Sequence, residues 1–140
     1  MEDAPDKKRY TEAFFEEIVK DDYEIYVSEL VLAEIRRAAE PRKSHLLRSI
    51  QKYEPEELEI SDEVDSLARK YERQGFVTPK AFDDLLHAAV ATVNNMDFLV
   101  SWNLSHIVRA KSIIGINTVN ILEGYRDLRI CTVLEVTSDE

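Results

Sequence analysis

Three stretches of the chain put oxygen-bearing side chains where a folded core is expected. In Leu30-Val31-Leu32-Ala33-Glu34-Ile35, a helical turn of roughly 100° per residue places Leu30, Val31, Ile35 and Ala38 on one stripe, with Glu34 inside it. A carboxylate aimed at a core costs several kcal/mol unless it is protonated, paired with a base, or set beside a cation or a wet pocket. The plain alternative is a Glu at the stripe's edge that reaches water. In the segment around Asp83-Asp84-Leu85-Leu86, the main apolar stripe is Phe82, Leu85, Leu86, Ala89 and Val93, while Asp84, Ala88, Ala91 and Asn95 line the opposite side. Small residues there imply a second packed face, which would set Asp84 in a crevice near the helix N-terminus. The helix dipole favours the ionised form at that end, as a metal ligand requires, although Asp83 and Asp84 could equally be favourable charges in an early turn. In Phe98-Leu99-Val100-Ser101-Trp102-Asn103, an apolar strand delivers a hydroxyl and an amide at its carboxyl end. Ser101 and Asn103 can serve as oxygen ligands or as turn and cap residues.

Other reactive residues carry less. His87 and His106 fall in neither an HExxH nor a Cys/His zinc spacing and read as packing residues. No GxSxG elbow, phosphate loop or GxGxxG turn occurs. Between Arg36 and Lys52, six bases (Arg36, Arg37, Arg42, Lys43, Arg48 and Lys52) face one acid, Glu40. With Arg109 and Lys111, which follow Asn103, they make a basic rim beside an acidic pocket, or simply a solvated helix face.

The elements that would position these residues follow from periodicity and caps. Tyr10, Phe14 and Ile18, with Phe15 beside them, mark a first amphipathic helix. Tyr23 to Val27 is a short strand, and Ser28 caps a helix from Glu29 to about Ala39 that Pro41 stops. A helix over Ser44 to Tyr53 follows, then a loop around Pro55, then a helix from Ser61 that Gly75 ends. Thr78-Pro79 opens a helix reaching about Asn95. Asp97 to Ser101 is a strand, Leu104 to Lys111 a short helix, Ile116 to Val119 another strand, and Ile130 to Val136 a final extended segment. Helices alternating with short apolar strands predict a helix-rich α/β domain over residues 1–140, its sheet mostly parallel and covered by helices on both faces.

Composition sets the outer bounds. The 140 residues suit a single domain, and the net charge of −10 argues against coating a phosphate backbone by bulk attraction. The longest stretch without a formal charge, residues 85–96, and shorter ones such as 98–108 fall well below the roughly 20 that a membrane helix needs, so no membrane partner is expected. Cys131 is the single cysteine, and no basic-then-apolar signal opens the chain. A reducing cytoplasm is the expected compartment.

The three stretches, taken in order with the closing Val119-Asn120, Gly124-Tyr125 and Ile130-Cys131-Thr132, resemble a PIN domain of the group that includes VapC-type toxins. The resemblance covers nearly the whole chain. It implies a sheet with flanking helices whose carboxyl edge gathers acidic residues around Mg²⁺ or Mn²⁺ for hydrolysis of RNA phosphodiesters. Glu34 then matches the acid after the second strand, Asp84 the acid on the later helix, Asn103 a position usually held by Asp, and Ser101 the hydroxyl beside it; Asp83 stands in reserve. Family members open with a strand carrying a first catalytic Asp, and this chain begins at what matches the linker after it. Either the true start lies upstream, or the fold is altered and a neighbouring chain or rearranged element fills the gap. Asn103 keeps an oxygen ligand but loses a charge, so weaker metal affinity is expected. The expected function is a metal-dependent ribonuclease, as the toxin of a toxin–antitoxin pair, that dimerises with itself and is covered by a small antitoxin's amphipathic helix. The alternative is a catalytically impaired PIN fold that binds RNA or a protein.

Overall fold

Ser28 ends a strand and starts a helix, and much of the first half of the molecule is organised around it. The computed structural model describes residues 24–100 and 109–131. Strand β1 (Tyr26–Ser28) runs directly into helix α1 (Glu29–Arg37), and the Ser28 hydroxyl accepts a hydrogen bond from the Val31 N–H at 3.2 Å, satisfying one of the donors a helix start leaves open. Helix α2 (Arg42–Tyr53) ends at Glu54, whose left-handed backbone (φ 46°) returns its N–H to the Ile50 carbonyl at 2.8 Å.

Residues 56–58, read from the sequence as loop, form strand β2 (Glu56–Leu58), which pairs in parallel with β1 through Tyr26 and Glu56, Val27 and Glu57, Ser28 and Leu58. Two adjacent glutamates hide such a strand from any apolar pattern. Helix α3 (Asp62–Arg73) begins where expected, and Ser61 proves to be its cap, its hydroxyl accepting from the Val64 N–H at 3.2 Å, with Asp62, Glu63 and Asp65 at the positive end of the helix dipole. Gly75 (φ +74°) lies just beyond the end of α3, in a backbone conformation that glycine adopts without strain.

Thr78 makes no side-chain cap. A 3₁₀ turn at Pro79–Ala81 intervenes before helix α4 (Phe82–Val93), and Asn95, expected inside the helix, lies beyond its end with φ 58°. Strand β3 (Phe98–Val100) pairs in parallel with β4 (Arg129–Cys131), Leu99 opposite Ile130. Between them lies helix α5 (Ala110–Leu122), which overturns the strand expected at Ile116 to Val119. Apolar residues surround this helix: Ile116 and Val119 are buried while Ile114, Ile121 and Leu122 are exposed, so no single stripe marks it as helical. Gly115 lets the Phe76 ring lie against α5, since a Cβ there would fall 2.6 Å from the ring.

The architecture is helix-rich α/β, and its described strands form two separate parallel pairs rather than one continuous sheet. Its apolar core is shared by α3 (Val64, Leu67, Ala68, Tyr71), α4 (Leu85 and Ala88 to Ala91), α5 (Ile116, Val119) and the segment Leu128 to Ile130. Ala88 and Ala91 are buried, as the second packed face of α4 requires, whereas Asn95 is exposed. No helix among the described residues is long and apolar enough to cross a membrane. The helix expected around Tyr10 to Ile18, Ser101, Trp102, Asn103, His106 and the extension past Cys131 lie outside the described residues.

Candidate functional site

Helix α1 offers the core little: Ile35 is its one buried residue, and Leu30, Val31 and Ala38 are half-buried. Glu34, next to Ile35, is half-buried. Its carboxylate meets a partner 53 residues along the chain, with Oε2 lying 3.2 Å from Nε2 of His87 on α4. The Glu34 side chain is 41% exposed and that of His87 only 10%, so the imidazole is the more enclosed end of the pair. The hydrogen bond from His87 holds the Glu34 carboxyl below its ordinary range; partial burial opposes this, and the charges of His87 and Arg37 support it.

His87 stands three residues after Asp84, so the two share one side of α4 with their Cβ atoms roughly 5–6 Å apart. Asp84 lies in the first turn of α4, partly buried, with Oδ2 shielded from solvent. Through His87, Glu34 is thus drawn to the side of α4 that carries Asp84. Asp83, in the same turn, is exposed. Val100 ends β3, and Ser101 and Asn103 beyond it are outside the described residues.

The basic residues singled out from the sequence lie on three helices. Arg36 and Arg37 are exposed in the last turn of α1, where they complement the negative end of its dipole. Arg42 is exposed and Lys43 half-buried at the start of α2, and Arg109 and Lys111 are exposed where α5 begins.

From sequence alone His87 reads as a packing residue; its three-residue spacing from Asp84 gains meaning only once α1 is known to bring Glu34 alongside.

Among the described residues no three of His, Cys, Asp and Glu converge closely enough to hold a metal. Glu34 on α1 and Asp84 on α4 offer carboxylate oxygens, the donor type a hard cation takes; Mg²⁺ is commonly held by one or two carboxylates, with water and substrate phosphate filling its other positions. Glu34 and Asp84 fit such an ion in donor chemistry.

A family model described as PIN domain matches residues 4–104, well over half of the chain. The match takes in Glu34, Asp84, Ser101 and Asn103 and stops short of Arg109 and Lys111. No curated protein and no solved structure matches the chain.

Proposed function

Because the chain belongs to the PIN domain family, a family of nucleases, we propose that it is a Mg²⁺- or Mn²⁺-dependent ribonuclease cutting RNA phosphodiesters internally. The observation that carries this reading is the Glu34–His87 contact, which draws the carboxylate of α1 to the side of α4 bearing Asp84. Glu34 and Asp84 would hold the cation, with Asn103 and Ser101 as further oxygen donors and Asp83 in reserve. When bound, the ion supplies an activated water and stabilises charge on the phosphate oxygens. The residues themselves contribute two carboxyl groups, one held below its ordinary range by the hydrogen bond it accepts.

Arg36, Arg37, Arg42, Lys43, Arg109 and Lys111 are the proposed phosphate contacts, a local basic bank on a chain whose overall charge repels RNA. In the same reading the protein is a VapC-type toxin of the cytoplasm, works as a homodimer, and is silenced by a small antitoxin. A second reading, a PIN fold that binds RNA or a protein without cutting, is favoured by the absence of a three-ligand cluster among the described residues.

Incubation with structured and single-stranded RNA and Mn²⁺ separates the two readings. Cleavage that vanishes with chelator, with Glu34→Ala and with Asp84→Ala supports the enzyme. Cleavage indifferent to both substitutions marks a contaminant and overturns the assignment, and retention of RNA without cleavage supports the binding module.

A further inference from the structure

Resting on the metal-dependent reading above, we infer that His87 is the positioning residue that fixes Glu34 relative to Asp84, so that the affinity for the divalent cation depends on an imidazole that never touches it. Glu34 belongs to a helix that the main core does not hold: Ile35 is buried, yet it stands outside the apolar cluster shared by α3, α4 and α5. Helix α1 packs on α2 and β1 instead. The 3.2 Å contact from Nε2 of His87 to Oε2 of Glu34 is a direct polar link between α1 and α4.

The imidazole is suited to this task. It is 10% exposed and grows from a helix whose neighbouring Leu85, Ala88 and Ala89 are fully buried, so the donor is fixed while the acceptor is not. Either the neutral tautomer with its proton on Nε2 or the imidazolium donates to the carboxylate. One oxygen of Glu34 is engaged in this way, and the other would be the one offered to a cation. Glutamine at 87 could place its amide where Nε2 lies; asparagine, one methylene shorter, could not.

The test is Mn²⁺ binding alone, measured by titration calorimetry on the full chain, with circular dichroism as the control for folding. Partners that orient a metal ligand typically account for about 10–100-fold in affinity. His87→Leu, which fills the space without a donor, and His87→Asn are each expected to weaken Mn²⁺ binding by about tenfold or more, while His87→Gln stays near wild type. In a Glu34→Ala background the same substitutions should change nothing further, because His87 acts through Glu34. Two results overturn the inference: wild-type affinity in both His87→Leu and His87→Asn, or an equal loss with and without Glu34. Should His87→Leu fail to fold, the His87→Gln and His87→Asn pair decides alone, and equal affinity in the two overturns it. If the wild-type chain takes up no Mn²⁺, the nuclease reading itself falls and carries the inference with it, an outcome distinct from Mn²⁺ binding that ignores His87.

Discussion

The α3–α4–α5 half and the α1–α2 half of the molecule are held by different forces. The first shares fully buried Val64, Ala68, Tyr71, Leu85, Ala88, Ala89 and Ile116. The second buries Ile35 from α1 and nothing from α2, and it is tied down by polar links: Ser28 to Val31, Glu29 to the Ile60 N–H at 2.9 Å, Glu34 to His87, and Glu40 to the Ser44 hydroxyl at 2.6 Å. Apolar burial is non-directional and cooperative, whereas exposed hydrogen bonds compete with water and contribute little each. The candidate site straddles the boundary, with Asp84 on the tight half and Glu34 on the loose one. A site built this way can open by local movement of α1 without global unfolding.

The largest test of this contrast compares one buried residue from each half. Leu85→Ala should cost about 3 kcal/mol or more in urea unfolding, since it empties space at the centre of the shared cluster, while Ile35→Ala, at an edge that can collapse, should cost about 2 kcal/mol or less. Amide hydrogen exchange should show α1 and α2 opening well below the global unfolding energy and α4 only near it. Equal losses and equal protection would erase the distinction.

A smaller effect sharpens it from the polar side. Asn120 is fully buried, accepts from the Tyr71 hydroxyl at 2.5 Å, and donates to Thr92 at 3.2 Å. Its neighbour Asn117 accepts from the Leu128 N–H at 2.7 Å and donates to the Leu128 carbonyl at 3.0 Å, doing for that residue what a strand partner would do. Even the tight half thus contains a polar joint, but one withdrawn from solvent, where an unmet partner is costly. Asn120→Ala should destabilise by about 2 kcal/mol in the same urea assay, whereas Ser44→Ala, which breaks the exposed link to Glu40, should cost well under about 1 kcal/mol.

The same division explains what could be read in advance. Ser28 announced α1 because a cap is a local transaction between a hydroxyl and an N–H three residues on, and the acids after Ser61 announced α3 because they suit the positive end of a helix dipole. The paired faces of α4 were visible because Ala88 and Ala91 repeat at helical spacing. Strand β2 and helix α5 were not legible, for opposite reasons: Glu56-Glu57-Leu58 carries almost no apolar signal, and residues 110–122 carry it on every side. At the site, Glu34 and Asp84 stood out as acids in apolar settings. His87 did not, since its importance lies in a contact spanning 53 residues, and nothing local to either residue encodes that meeting.

Extremes of pH should strain the two halves separately, and with the smallest effects. On the tight side, the Tyr125 phenol is pushed up to about 12, first by its hydrogen bond to the Glu63 carboxylate at 2.5 Å and then by burial and the charges of Glu63 and Glu123. The folded protein therefore holds this proton more firmly than the unfolded chain, whose phenols titrate near 10, so the stabilisation is intact below about pH 10 and drains away as pH rises toward 12. On the loose side, the Glu34 carboxyl is held below its ordinary 4.5, chiefly by the hydrogen bond from His87, so its contribution is intact above that value and fades as the solution is acidified. Tyr125→Phe should remove part of the alkaline decline in the urea midpoint, costing under about 1 kcal/mol at neutral pH, and leave the acid limb unchanged. Glu34→Gln should do the reverse. If both substitutions shifted the same limb, the two halves would titrate as one body, and the separation between apolar and polar cohesion would fail with them.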